Sequence, residues 1–396
     1  MSPSLDISNN KPLLWLMAMA CGLCAGINYY CQPLIRSIQQ YFAVTESQAA
    51  LTVTFAQVSY AFGLLFIVPL GDMVNKTKFI PLLMYLAALG LLISACAVNL
   101  PMLWLGTIMG GLFAVAAQVL IPLAVFASHP NKTGEVIGFL MSGLLVGILL
   151  STSLAGLLSY LANWQLIYWV SAISMLLLAT ALKRRLPFVP SSKMPYFAIF
   201  RSMAELLASE KRLLLRGLIG GLSFGAMSIL FSTIAVLLTA PPFALNDVLV
   251  GVVALVGVFG ALSTAKFGKI ADKGHTKALA WIGLLILASS WLFLYLGGQY
   301  LISYIIGYGL INLGLAMVHT SNQNIIFKLR PDAKSRINAI YMTIYFIGGA
   351  CGSALGVYAW HHGGWSMVCM TGLLLIVLAS LINLFDQRLA TAANAL

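Results

Sequence analysis

Tyr308, Asn312, His319 and Gln323 follow one another at steps of four, seven and four residues, a spacing that sets all of them on one face of a helix. The stretch that carries them, LISYIIGYGLINLGLAMVHTSNQNIIF, holds no Asp, Glu, Lys or Arg. Histidine exchanges a proton near neutral pH, and the amides and hydroxyl beside it donate and accept hydrogen bonds. That chemistry suits the binding of a polar small molecule, with His319 as a proton-coupling group. The alternative is a neutral histidine satisfied by a neighbouring helix, as buried polar groups usually are.

Further polar side chains sit in apolar runs at helical spacing: Asn28 with Gln32, Gln57 with Tyr60, Gln118 alone, and Tyr341 with Tyr345. In hydrocarbon such groups need partners and turn inward. Together they describe a cavity for a neutral or weakly charged molecule. None of the 10 acids lies near the middle of an apolar run: Asp6 and Asp386 read as terminal, Glu205 and Glu210 fall in a polar stretch, and the rest flank helices. No group of residues has metal-ligand spacing, and no phosphate-binding loop G-x-x-x-x-G-K-[ST] occurs. An enzyme would need a nucleophile with its base, and the adjacent His361 and His362 have no acid nearby. No cofactor is expected.

The elements that position these residues follow from composition. Of 396 residues 61% are hydrophobic and 8% charged, far from a soluble domain. A helix crosses a bilayer with about 20 apolar residues, and the chain offers such runs near 13–36, 47–70, 79–98, 102–127, 136–161, 165–182, 213–239, 248–268, 278–297, 300–327, 337–359 and 365–385. With twelve crossings, every one of the 22 Lys and Arg residues except Arg36 falls on one side. Cationic loops stay cytoplasmic, so both termini are expected inside. The net charge of +12 then faces anionic lipid rather than nucleic acid. The six cysteines lie in or beside apolar runs, where they pack as small hydrophobes.

The chain also repeats itself. Asp72 and Asp272 are 200 residues apart, and the pairs Pro130 and Pro331, Trp164 and Trp365, and Gly147 and Gly348 are each 201 apart. Parallel repeats of this kind build one large transporter class. The expected organisation is a six-helix half over 1–182, a cytoplasmic linker over 183–212 and a second six-helix half over 213–396. Within the linker Tyr196, Ile199, Phe200, Met203, Leu206 and Leu207 recur at helical spacing among basic residues, the pattern of an amphipathic helix on the inner membrane surface.

Twelve runs, the offset near 200 and the loop GKIADKGHTK between runs 8 and 9 resemble the major facilitator superfamily, whose loops after helices 2 and 8 carry a G-x-L-a-D-R-x-G-R-R pattern. Gly268, Asp272 and Lys273 match it, with Gly274 one position early. In the first copy Asp72, Lys76 and Lys78 remain, while Val68 replaces the leading glycine and Met73 the arginine. NYYCQPLI, PLGD, HTSNQN and YMTIYFIGGACGSALG look like a bacterial branch near the drug and metabolite exporters. The resemblance implies that Asp72 and Asp272 act as a conformational latch, facing the starts of runs 11 and 5, and that run 10 lines the central cavity. It departs from many proton-driven exporters: run 1 has no acid, and Thr107 stands about where an arginine is usual.

The expected protein is an all-α membrane protein with the major facilitator fold, twelve transmembrane helices in two parallel halves. It sits as a monomer in the bacterial inner membrane, in contact with lipid. Its expected task is export of a small molecule coupled to protons by alternating access. Uptake or uncoupled diffusion of a neutral metabolite is the alternative, and an integral membrane enzyme a remote one. The expected substrate contacts are Asn28, Gln32, Gln57, Tyr60, Gln118, Asn312, His319, Gln323, Tyr341 and Tyr345.

Overall fold

A computed structural model describes residues 6–188, 195–245, 247–330 and 332–393. Among these, ten helical runs are long and apolar enough to cross a membrane. The two longest, Gly257–Leu296 and Lys334–Leu389, are each interrupted by backbone that is not helical, at Gly274 and at Gly363 with Gly364. Gly274 has φ +87° and Gly364 φ +59°, left-handed values that glycine alone adopts without strain. With those two turns counted, the runs divide into the twelve segments expected.

The helices are α1 (Lys11–Gly26), α2 (Ile35–Phe42), α3 (Glu46–Phe66), α4 (Lys76–Ala95), α5 (Leu100–Phe113), α6 (Ala116–Phe126), α7 (Thr133–Leu161), α8 (Leu166–Arg185), α9 (Tyr196–Ser209), α10 (Lys211–Thr239), α11 (Asp247–Leu255), α12 (Gly257–Ile270), α13 (Thr276–Leu296), α14 (Leu301–Leu329) and α15 (Lys334–Ala393). They form two compact units. One comprises Met1–Phe200 with Ala333–Ala339, the other Arg201–Asp332 with Ile340–Leu396.

In the first unit α1, α3, α4 and α5 start on side-chain caps. Asn10, Asn75 and Asn99 each accept from a backbone amide of the first turn, and Thr45 with Gln48 closes a capping box. Such caps satisfy amides that have no helical acceptor. α1 lies directly on α7: a Cβ at Gly22 would meet the Gly143 carbonyl oxygen at 2.6 Å, and one at Gly147 would strike the Gly22 backbone. Small residues let membrane helices approach to backbone contact. The first span is shorter as a helix than expected, since α1 stops at Gly26 and tight turns over Ile27–Tyr29 and Gln32–Leu34 carry the chain to α2. Pro33, without an N–H, falls in the second of these turns. Asn28 is therefore buried while Gln32 is exposed.

The second unit repeats the arrangement. A Cβ at Gly348 would strike the Gly221 backbone, and one at Gly352 the Gly225 backbone, so α10 lies against the first half of α15 as α1 lies against α7. The core gathers Trp291, Tyr304, Tyr308, Leu284 and Leu287. Trp365, just past the glycine break, donates from Nε1 to the Leu294 carbonyl at 2.8 Å and fixes the turn. Leu177, Leu285, Leu292 and Met370 are more than 60% exposed, as lipid-facing side chains are in a chain seen without its bilayer.

Of the expected linker, residues 189–194 lie outside the described residues. α9 occupies the amphipathic stretch, with Ile199, Met203 and Leu206 buried and Phe200 against Phe66. Ahead of α1 the chain is tied down. Ile7 is buried and its amide donates to the Ala127 carbonyl at 3.0 Å, while the Asp6 carboxylate accepts from the amides of Ser8 at 2.9 Å and His129 at 3.2 Å. The Ser8 hydroxyl and amide, helped by His129, hold the Asp6 carboxyl below the usual carboxylate range.

Candidate functional site

Each unit carries its own polar cluster. In the first, α5 and α6 form one span whose second half contains Pro122. Proline has no N–H, so the Gln118 carbonyl four residues earlier loses its helical donor. The Asn338 side chain takes that place, donating from Nδ2 to the Gln118 carbonyl at 2.9 Å and to its Oε1 at 3.2 Å. Gln118 in turn donates from Nε2 to the Tyr60 hydroxyl at 3.2 Å, and all three residues are buried. Nearby on the chain, half-buried Gln57 donates to the Asn28 carbonyl at 3.3 Å, while the Asn28 Oδ1 is buried without a partner. Gln32, exposed on its turn, joins neither arrangement.

Asp72 is also in this unit. Pro69 ends α3's run in a tight turn that presents the carboxylate, which accepts from the amides of Ser335 at 3.1 Å and Arg336 at 3.2 Å and from Arg336 Nε at 3.2 Å. Lys76 Nζ lies 3.6 Å away. Free amides at a helix start carry partial positive charge, and Asp72 sits on those of α15. In the second unit Asp272 accepts from Asn324 Nδ2 at 3.3 Å.

The four residues at steps of four, seven and four divide between two roles. Tyr308 belongs to the core, its ring stacked 6.3 Å from that of Tyr304. Asn312 donates back to the Tyr308 carbonyl at 2.8 Å and lies against Gly257 and Gly260 of α12. His319 instead meets the tyrosine pair of α15: its Nδ1 lies 3.0 Å from the Tyr341 hydroxyl, and its ring is 4.9 Å from that of Tyr345. Tyr345 stacks on Phe224 of α10 at 4.3 Å. One turn along α14, Gln323 is fully buried, and neither atom of its amide has a hydrogen-bond partner. From Thr320 to Asn324 every residue is polar and buried, and the others find helical or cross-helix partners.

Asp386 corrects the expectation drawn from its position near the chain end. Its side chain is 0% exposed, held by Arg212 through Nε and Nη2 at 3.1 and 3.2 Å and by Arg216 through Nε at 3.0 Å and Nη2. Arg216, itself 1% exposed, also donates from Nη1 to Asn383 Oδ1 at 3.0 Å and Asn322 Oδ1 at 3.3 Å. The signal in the sequence was Arg216, which falls inside the run 213–239, since a charge in an apolar run is expensive and needs a partner. Asn338, Asn322 and Phe224 gave no such signal. Among the described residues no disulfide and no metal-ligand cluster occurs.

Among the described residues, membrane-length helical segments, a duplicated packing motif and buried polar clusters define a multi-pass membrane protein. The sequence profile of the Major Facilitator Superfamily matches residues 15–353. YgaY of Escherichia coli K12, named as a transporter, is 43% identical over 361 residues, 91% of this chain and 92% of its own. The inner membrane transport protein YnfM of the same organism is 25% identical, covering 93% of this chain and 89% of its own. The crystal structure of the human organic anion transporter MFSD10 matches with TM-score 0.76 at 16% identity, over 97% of this chain and 100% of that one. The chain belongs to the Major Facilitator Superfamily.

Proposed function

We propose that the protein is a secondary transporter of a bacterial inner membrane that exports a small organic molecule in exchange for protons by alternating access. In this reading both termini and the linker are cytoplasmic, the protein acts as a monomer among lipids, and no nucleic acid or cofactor takes part. The observation that carries it is the setting of His319. It is a titratable side chain buried in a membrane helix against Tyr341 and Tyr345, whereas the buried acids Asp72 and Asp386 are held by cations. The proposed substrate contacts are Asn28, Gln57, Tyr60, Gln118, Asn312, His319, Gln323, Tyr341 and Tyr345; Gln32 is the weakest of the expected set because it is exposed. The unpaired amide of Gln323 supports a substrate with hydrogen-bonding groups. Asp72 and Asp272 set the balance between inward-open and outward-open states.

The pairing of the buried acids also supports a second reading, uptake or uncoupled diffusion of a neutral metabolite, if His319 keeps its charge constant. Proteoliposomes carrying an imposed pH gradient, screened against metabolites and drugs, separate the two. Accumulation that follows the gradient supports the first reading, and transport indifferent to it supports the second.

A further inference from the structure

The hydrogen bonds at Gln118 run in a fixed direction. A backbone carbonyl only accepts, so the end of the Asn338 amide that meets the Gln118 carbonyl at 2.9 Å is its nitrogen. The same NH2 group reaches Gln118 Oε1 at 3.2 Å, and Gln118 turns its own nitrogen the other way, donating to the Tyr60 hydroxyl at 3.2 Å. One NH2 group is therefore seated on two acceptors of a single residue, and the first of them is bare because Pro122 has no N–H to give it. Asn338 is held there by its nitrogen alone among its polar atoms, since its Oδ1 is buried without a partner.

The seat need not always be filled by Asn338. Ala333–Ala339 pack with the first unit and Ile340 onward with the second, yet α15 passes from one to the other with no non-helical residue before Gly363. No proline or glycine lies between 333 and 347, and helices kink sharply at such residues or where something inserts into their ladder. A shift of one unit against the other, as alternating access requires, then draws Asn338 off Gln118 rather than bending α15. Two acceptors are left without a donor, and a buried acceptor is costly to leave unmet.

We infer that the Gln118 carbonyl and Oε1 bind an NH2 group of the substrate in the place that Asn338 leaves, so that Asn338 competes with substrate for one seat. The substrate class is a small molecule bearing an unsubstituted NH2 group, with a primary carboxamide the nearest match because the seat already holds one. A ligand shifts a conformational equilibrium only by binding one state better than the other. A substrate that can enter only when Asn338 has left has that preference built in. This inference rests on the reading of the protein as an alternating-access transporter with Gln118 among its substrate contacts.

The probe is benzamide, and its control is N,N-dimethylbenzamide, which keeps the ring and carbonyl but has no N–H. Binding of each to the full-length protein in lipid nanodiscs is measured by titration calorimetry. Benzamide should bind at least about fivefold more tightly than its control, the net effect of one hydrogen bond. Two substitutions should then act with opposite signs. Asn338→Ala removes the competitor and should tighten benzamide about fivefold, whereas Pro122→Ala returns an N–H to the Gln118 carbonyl and should weaken it by a similar factor. A purely structural Asn338 would leave binding unchanged or weaken it. Folding is checked by gel filtration, and Asn338→Leu, similar in size and without a donor, replaces an alanine variant that does not fold. Failure of benzamide to bind the folded wild type and variant alike, or binding that Asn338→Ala does not tighten, overturns the competition. Reaction of Gln118→Cys with N-ethylmaleimide on a cysteine-free background separates this from the underlying reading. A thiol that reacts in a protein failing the benzamide test removes only the shared seat, and a thiol that never reacts removes Gln118 from the substrate path and the inference with it.

Discussion

The Gln118 carbonyl accepts from the Asn338 side chain at 2.9 Å at the position where Pro122 has removed the helical donor. A helix defect and a distant side chain thus answer each other: the amide that repairs the proline break in α6 comes from α15, 220 residues along the chain.

Asn338→Ala should cost about 1–3 kcal/mol, the penalty of leaving a buried carbonyl unsatisfied, read as a lower unfolding temperature in detergent. In a Pro122→Ala background, where the helix regains the N–H, the same substitution should cost markedly less. Equal costs in the two backgrounds would mean that the contact does not compensate for the proline.

Asp72→Asn weakens a carboxylate's hold on the amide ends of α15. Contacts of this kind contribute about 0.3–2 kcal/mol, enough to change conformational populations severalfold. Transport should slow while equilibrium substrate binding stays within a few-fold. Complete loss of binding in a folded variant would make Asp72 a ligand instead.

His319→Gln keeps a hydrogen-bonding side chain but removes the imidazole to which this reading gives the proton. Accumulation against a gradient should disappear while passive exchange of substrate persists. Undiminished accumulation driven by a pH gradient would assign His319 a structural role and move coupling elsewhere.

Cysteine introduced as Ser209→Cys at an exposed position of α9, with the native cysteines replaced, should resist an impermeant thiol reagent in intact cells and react in inside-out vesicles. Labelling in intact cells would invert the topology.

The Asp6 carboxyl is held below the usual carboxylate range by Ser8. A group depressed in the folded state contributes stability above its unfolded pKa, and that contribution is lost as pH falls through the folded value. The segment around Ile7 should stay docked at neutral pH and exchange amide hydrogens faster once the pH drops below about 3.9, the ordinary value for aspartate. Exchange that does not change with acidification would mean that Ile7 burial alone holds the segment.

The fold was legible because hydrophobic runs, charge asymmetry and repeated offsets are each properties of the linear chain. The helix at 196–209 was legible for the same reason: its apolar residues recur at helical spacing. The polar clusters were only half legible. Spacing put Tyr308, Asn312, His319 and Gln323 on one face, yet it could not tell that Tyr308 faces the core and that Asn312 turns back on its own helix. Asn28 and Gln32 were separated by turns that end the helix at Gly26. Asp386 reads as terminal from its place near the chain end, while its partners, Arg212 and Arg216, lie 174 and 170 residues away. Side chains that pair across helices leave no periodic trace.

The glycine seams between α1 and α7, and between α10 and α15, have a thermodynamic consequence. In water, burying apolar surface gives unfolding a large positive heat capacity, and stability then curves with temperature. Helices that separate into hydrocarbon exchange contact with one another for contact with lipid tails, so no apolar surface is newly hydrated. The seams should therefore add almost nothing to the heat capacity of unfolding within a bilayer. What they contribute changes with temperature nearly linearly, and the weakening of a water-driven core on cooling has no counterpart there.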